Sequence, residues 1–477
     1  MITAERAVGR VVLGLACALL LPQLAMRGMF MDGMLYAVVA HNLAHGIGTF
    51  WEPIFSRFGF AGLDHFHEHP PLGFGLESLW FRAFGDGFWV EHLYCLMLMA
   101  VTAYAMLATW RLVLPRAVAD ATSWWPLLLW LLVPQVAWAT VNNMLEVTMG
   151  AFTAIAVFLS LGPGGGLRPL RTALAGLAVL LATLTKGVPG AFPIAAPLIW
   201  ALVSGRVRPA HGMIRMTIMI VVVLLGYGIL LAWPDARANL ATYVNTRLLH
   251  RIADQHTVAH RWRILSDLFL SQSGPLALAT LVWFMGRGGR SVPNSGRAAL
   301  ALLLIGLSGV LPLMLTLVQK SFYSVPAFPF IALGLGLWSF QGVQRALART
   351  RGRTRLVRVI GTTGSITVVG AVLVAIALWG RPLRDADILA DVERIGQTVP
   401  QGAFVGIDPV LWERWNLQGY LLRDHFISMD PNNARHAWFL GPVGAPPPDG
   451  AQPVDLGLST VRLFERTEGM APIEGMK

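Results

Sequence analysis

The sequence predicts an all-α polytopic membrane protein of about 11 transmembrane helices with a small C-terminal α/β domain outside the bilayer. Three observations carry this. Of 477 residues, 55% are hydrophobic and only 13% charged, where a soluble globular chain has about 25% charged residues. The mean hydropathy is +0.58. Apolar runs near span length alternate with short Arg-containing gaps up to residue 379, and beyond that point no run is long enough to cross.

Taken in order, the predicted spans are 11–28, 91–110, 123–141, 144–161, 171–185, 188–203, 214–233, 274–286, 298–318, 325–341 and 359–379. The fifth and eighth are the shortest. Arg6 and Arg10 precede the first run in the manner of a signal peptide, but no small-residue cleavage site stands before Asp32, so an uncleaved first span is expected. Alternation of eleven spans puts Arg6/Arg10, Arg111/Arg116, Arg168/Arg171, Arg206/Arg208/Arg215, Arg287/Arg290/Arg297 and the run Arg345 to Arg358 on one side. The positive-inside rule makes that side cytoplasmic. The net charge of +11 is thereby absorbed by topology, and nucleic acid is not an expected partner. The N-terminus is then inside. The stretch 29–90, Asn142/Asn143, Lys186, the loop 234–273, Lys320 and the C-terminal region are outside. The two cysteines, Cys17 and Cys95, both lie in apolar runs and imply no disulfide framework.

The domain reading is a transmembrane domain over 1–380, with 29–90 as its first outer loop, and a soluble domain over 381–477. In the latter, Gly402–Ile407, Ala437–Leu440 and Thr460–Phe464 read as strands, Trp412–Arg423 has helical spacing, and Ala445-Pro446-Pro447-Pro448-Asp449 is a loop.

Candidate chemistry concentrates on the predicted outer face. Asp32 follows the first span directly. It fits either the N-cap of a helix starting near Met34 or a general base acting on an acceptor hydroxyl. Lysine is rare: of 37 Lys plus Arg residues only Lys186, Lys320 and Lys477 are lysines. Lys186 and Lys320 fall at predicted outer span ends, where they either anchor the protein by snorkelling or bind a phosphate as compact point charges. The loop 234–273 adds Arg247, His250, Arg251, His256, His260, Arg261 and Arg263, a set suited to anionic membrane lipid or to a lipid phosphate. The run Asp64-His65-Phe66-His67-Glu68-His69 would align His65, His67 and His69 on one face of an extended strand. It is a weak candidate for a divalent metal, and no other cofactor is indicated.

These residues occur in an order that resembles a known family. Asp32 is followed by Asn42-Leu43-Ala44-His45-Gly46 and by Pro70-Pro71-Leu72. An acidic residue near the fourth span, Glu146, comes next, then Lys186-Gly187, His250-Arg251, and Lys320-x-x-Tyr323-x-x-Pro326-x-x-Pro329. The chain is similar over its first ten spans to the bacterial branch of the protein O-mannosyltransferase superfamily, which includes the lipid A aminoarabinose transferases. These are GT-C glycosyltransferases. The resemblance implies a GT-C membrane fold in the bacterial inner membrane, a polyprenyl-phosphate sugar donor and inverting transfer to a glycolipid, polysaccharide or protein acceptor. It implies that Asp32 is the base or orients the acceptor, with Glu146 as a second acidic residue. It implies donor-phosphate contacts from His69, Lys186, Arg251, Lys320 and Tyr323. Relatives often carry Lys where His69 stands. Rival readings are a transporter or lipid-linked glycan flippase, which Pro189, Pro193 and Pro197 in the sixth span would suit, and a polysaccharide ligase using a diphosphate-linked donor.

Overall fold

The structure is a computed structural model describing residues 3–60, 62–162, 166–249, 257–286, 295–350, 352–432 and 435–466. Arg251, His250, His256, Arg287 and Arg290 lie outside the described residues. The described chain divides into two compact units. The first comprises residues up to Ala25, Glu68–Gly73 and His92–Trp379; the second comprises Met26–His67, Phe74–Glu91 and Gly380 onward.

The first unit is a bundle of apolar helices. Among the described residues, eight helices are long and apolar enough to span a membrane: Ala4–Leu24, Val90–Val113, Pro169–Lys186, Pro209–Ala232, Arg263–Gly286, Ser295–Leu315, Ser321–Trp338 and Thr354–Leu378. The remaining three predicted segments are irregular. Residues 116–141 form two helices, Arg116–Leu131 and Pro134–Val141, bent by 77° where Pro134 cannot continue the first. Leu145–Leu161 and Val188–Ser204 are shorter apolar helices, the second opening with a 3₁₀ stretch through Pro189 and Pro193. Several bounds differ from expectation. The first helix runs Ala4–Leu24 rather than 11–28, the last begins at Thr354 rather than 359, and the eighth begins at Arg263 rather than 274, so the basic loop before it is shorter.

Packing in this unit follows membrane logic. The first and last spans run against each other, Gly14 facing Gly364: a Cβ on Gly14 would sit 2.9 Å from the Gly364 carbonyl oxygen. Small residues allow such backbone approach. The outer faces of Pro209–Ala232 and Thr354–Leu378 expose Leu224, Leu225, Ile229, Ile366 and Ile376, as lipid-facing helices do. The arginines of the predicted cytoplasmic side also cap helices. Arg171 donates to the carbonyls of Phe158 and Leu159, and Arg215 to those of Ser160 and Leu161, satisfying the end of Leu145–Leu161.

The second unit holds the mixed α/β domain. Strands β1 (Phe404–Ile407), β2 (Ser428–Asp430), β3 (Trp438–Pro442), β4 (Ala451–Val454) and β5 (Val461–Arg466) form one sheet of order β2-β1-β3-β5-β4. β1 pairs in parallel with β2 and β3, while β5 pairs antiparallel with β3 and β4. The expected strands are present, and the helix expected over Trp412–Arg423 runs Trp415–His425; β2, β4 and the helix Ala386–Thr398 are additional. Buried Asp391 explains why that helix is fixed. Its carboxylate accepts from the amides of Ser459 and Thr460 and from the Thr460 hydroxyl at 2.9, 2.7 and 2.6 Å, anchoring the turn that leads into β5.

The expected outer loop is built into this same unit. Met31–Ala44 and Leu72–Phe84 are helices, the latter beginning in the first unit at Leu72. Phe58 packs on Phe404 and Phe60 on Trp415, with ring centroids 5.4 and 4.8 Å apart. A β-bridge ties the exit of the first span to that of the last, Arg27 N–H donating to Arg381 O and Leu383 N–H to Arg27 O, both at 2.8 Å. The Asn-Leu-Ala-x-Gly segment is a helix stop. Ile47 N–H donates to Asn42 O at 2.9 Å, Gly46 N–H to Leu43 O at 3.4 Å, and Gly46 takes φ +76. The Asn42 side chain also donates to the carbonyls of Ile54 and Phe55, fixing the loop that follows.

Candidate active site

Within the membrane unit, sequence-singled residues meet at a buried ion pair. Asn143, at φ +50, breaks the chain between Pro134–Val141 and Leu145–Leu161. Asn tolerates this left-handed conformation better than most side chains, and its Oδ1 accepts from Cys95 Sγ at 3.2 Å. The new helix then begins with Glu146 in its first turn, where the helix dipole favours an anion. Lys186 is the last residue of Pro169–Lys186, where the dipole favours a cation. Lys186 Nζ donates to Glu146 Oε1 at 2.6 Å, with the two side chains 8% and 0% exposed.

The surroundings of the pair are aromatic. Lys186 Nζ lies 5.2 Å from the Tyr323 ring centroid and 5.8 Å from that of Phe322, within cation–π range. Both rings belong to the 3₁₀ segment Ser321–Ala327, and Trp138 stacks on Phe322 at 5.2 Å. Gly187 has φ +82, and the Tyr243 hydroxyl packs directly over its α-carbon, so a side chain there is excluded. Glu146 also borders a narrow apolar cavity lined by Met99, Trp130, Val325 and Pro329. A buried charge pair gains little net stability over apolar packing, and ionisable residues among membrane helices mark functional sites by default.

The other expected residues are placed as follows. Lys320 is exposed and extended at the head of the 3₁₀ segment, its carbonyl accepting from Tyr323 N–H at 3.0 Å. His69 is buried. Asp32 is half-buried in the second unit. It is not the N-cap: Phe30 takes that position because the helix starts at Met31, and Asp32 sits in the first turn. His65, His67 and His69 do not lie along a strand, since residues 62–70 form no strand; Phe66 N–H is instead drawn to Pro53 O. The only described residues that bring three metal-ligating atoms within 4.8 Å of one another are His41, His45 and Asp86.

Two features escaped the sequence reading. Glu68 pairs with Arg247 at 2.6 Å, both side chains largely buried. Gln319 is a buried hub: its Oε1 accepts from Ile264 N–H and its Nε2 donates to the carbonyls of Arg261 and Thr316. It ties the start of Arg263–Gly286 to the segment carrying Lys320 and Tyr323. Its position immediately before Lys320 was the available signal.

The bundle of apolar helices and the small α/β sheet match the GT-C fold. Among solved structures the chain is similar to the ArnT of Cupriavidus metallidurans bound to undecaprenyl phosphate, at TM-score 0.64 and 14% identity over 95% of this chain and 97% of that one. The apo state of the same ArnT matches at TM-score 0.63 and 16% identity, over 96% and 98%. The Archaeoglobus fulgidus oligosaccharyltransferase matches at TM-score 0.51 and 12% identity, over 91% of this chain and 68% of that one. No protein-family profile and no curated protein sequence matches the chain.

Proposed function

We propose that the protein is a membrane glycosyltransferase that moves a sugar from a polyprenyl-phosphate donor to an acceptor hydroxyl at the outer face of the bacterial inner membrane. The observation that carries this reading is Lys186 held buried beside Glu146 and Tyr323 at one end of the membrane helices. It stands on a fold shared end to end with a protein solved bound to a polyprenyl phosphate.

The chemistry needs few parts. The acceptor oxygen attacks the anomeric carbon from the side opposite the phosphate. The carbon–oxygen bond to phosphate breaks, configuration inverts, and polyprenyl phosphate departs with the bonding pair. Asp32 takes the hydroxyl proton. Lys186, Lys320, Arg251 and His69 supply positive charge or hydrogen bonds to the departing phosphate, with Tyr323 as a further donor. Glu146 holds the Lys186 ammonium in place. A polyprenyl tail cannot leave the bilayer, so a charged site at a span end is where such a donor is met.

The test is transfer of label from a radiolabelled polyprenyl-phosphate sugar to an envelope acceptor by the purified protein. Lys320→Ala should lower donor use roughly ten- to hundred-fold, because a charge-assisted contact is worth about 1.5–3 kcal/mol. Arg349→Ala, at the predicted cytoplasmic side, should not. Equal small effects at both positions would leave Lys320 as an anchor only. Label that accumulates inside vesicles without being transferred would favour the transporter reading.

The orientation is tested separately. We propose 1–380 as the membrane domain and 381–477 as an outer, periplasmic one, with the N-terminus cytoplasmic. Alkaline phosphatase fused after Glu465 should therefore be active; an inactive fusion, with a bright green fluorescent fusion at the same point, overturns the orientation.

A further inference from the structure

We propose that His41, His45 and Asp86 form a binding site for one zinc-class divalent ion, clipping the end of the helix Met31–Ala44 to the chain leaving Leu72–Phe84. His41 and His45 are four residues apart and so share one helix face. Their Nε2 atoms converge on the same oxygen: Asp86 Oδ1 lies 3.1 Å from that of His41 and 2.9 Å from that of His45. All three ligand atoms fall within 4.8 Å of one another. Zinc bound tetrahedrally at about 2.0–2.1 Å to nitrogen and oxygen separates its ligands by roughly 3.3 Å. The two His–Asp86 separations reach that value with an opening of a few tenths of an ångström.

The surroundings are built rather than incidental. His41 is 1% exposed, and neither ring nitrogen completes a well-formed hydrogen bond. A buried imidazole left so is costly unless something else occupies it. Phe426 holds the unfavourable φ of +56, and its ring stacks on His41 at 4.6 Å and meets His45 edge-on at 5.0 Å. Non-glycine residues rarely adopt this conformation without compensation. Arg423 donates to the backbone carbonyls of Asp86 and Gly87 and pairs with buried Glu91 at 3.1 Å, so its own charge is balanced and the Asp86 backbone is fixed. Arg82 donates to Leu43 O at 3.0 Å, closing the same two helix ends together.

The ligand set suits zinc or a neighbouring first-row ion. Two imidazoles and one carboxylate select against magnesium and calcium, which prefer all-oxygen sites. His45 and Asp86 are 40% and 49% exposed, so a fourth position opens to solvent. The site is separate from the Asp32 face. Nine residues at about 100° each place His41 half a turn round the helix from Asp32 and roughly 13 Å along it.

Zinc binding to the purified full-length protein after chelator treatment tests this. One equivalent of Zn²⁺ should bind and raise the midpoint of thermal unfolding. The double variant His45→Gln/Asp86→Asn changes only exposed side chains, so its zinc-free unfolding midpoint should match wild type. Its zinc affinity should fall at least about 100-fold, since each ligand or supporting group is worth roughly 10–100-fold. His65→Gln/His67→Gln should bind zinc as wild type does. The proposal is overturned if wild type takes up no zinc, if the His45/Asp86 variant binds it equally, or if binding is lost with His65 and His67 instead. Should the double variant unfold, His45→Gln alone serves the same comparison.

Discussion

Asp32→Asn should reduce sugar transfer by about 10²–10⁴-fold while leaving expression and donor binding near normal. The size follows from the role: a positioned general base contributes about that much, and an amide cannot accept the acceptor's proton. The selectivity follows from its placement. Asp32 lies in the first turn of Met31–Ala44 but is not its N-cap, so the substitution removes no capping hydrogen bond of its own position. The carboxylate's interaction with the helix dipole, which the substitution weakens, is typically worth about 0.3–1 kcal/mol. Exposed Asp64→Asn is the control and should retain full activity. Transfer within a few-fold of wild type by purified Asp32→Asn would rule it out as the base.

The second large effect is expected at the buried pair, where stability and activity should separate. Lys186→Met leaves Glu146, at 0% exposure, facing no ammonium. Removing one partner of a buried ion pair costs about 3–5 kcal/mol. Adding Glu146→Gln removes the stranded charge, and most of that stability should return, because neutral replacement of a whole buried pair is often without cost. If Lys186 binds the donor phosphate, transfer by the double variant should stay roughly ten- to hundred-fold down. A double variant that regains both folding and transfer would make the pair purely architectural. Thermal unfolding and single-turnover transfer, measured on the three proteins, resolve the two cases.

The sequence showed much of the fold and less of the site, for physical reasons visible in particular residues. Membrane insertion demands continuous apolar runs, so even the bent pair around Pro134 and the Pro-interrupted stretch at 189–193 could be located as segments. Their bends could not, because a proline marks a break without giving its angle. The α/β domain revealed β1, β3 and β5 through short apolar stretches, whereas β2 has only three residues and β4, as long as β1, carries Gln452 and Pro453 in place of an apolar run. Glu146 and Lys186 were each found by rarity and position. Their pairing required knowing that the helix beginning at Leu145 and the one ending at Lys186 pack side by side. The histidines mislead in the other direction. Three of them crowd residues 65–69 without lying on a strand, while His45 meets Asp86 across 41 positions. Density along the chain is not convergence in space.

The glycine contact between the first and last membrane helices has a consequence for biogenesis. Roughly 330 residues separate Leu24 from Thr354. At about 5–20 residues per second of synthesis, the ribosome needs some 15–65 s to deliver the partner that Gly14 packs against. For that interval the newborn N-terminal helix meets lipid, the insertion machinery or a membrane chaperone along its small-residue groove. Closure of the bundle is therefore a late event of assembly, and quality control that senses an uncovered first helix would read out whether translation reached the end of the membrane domain.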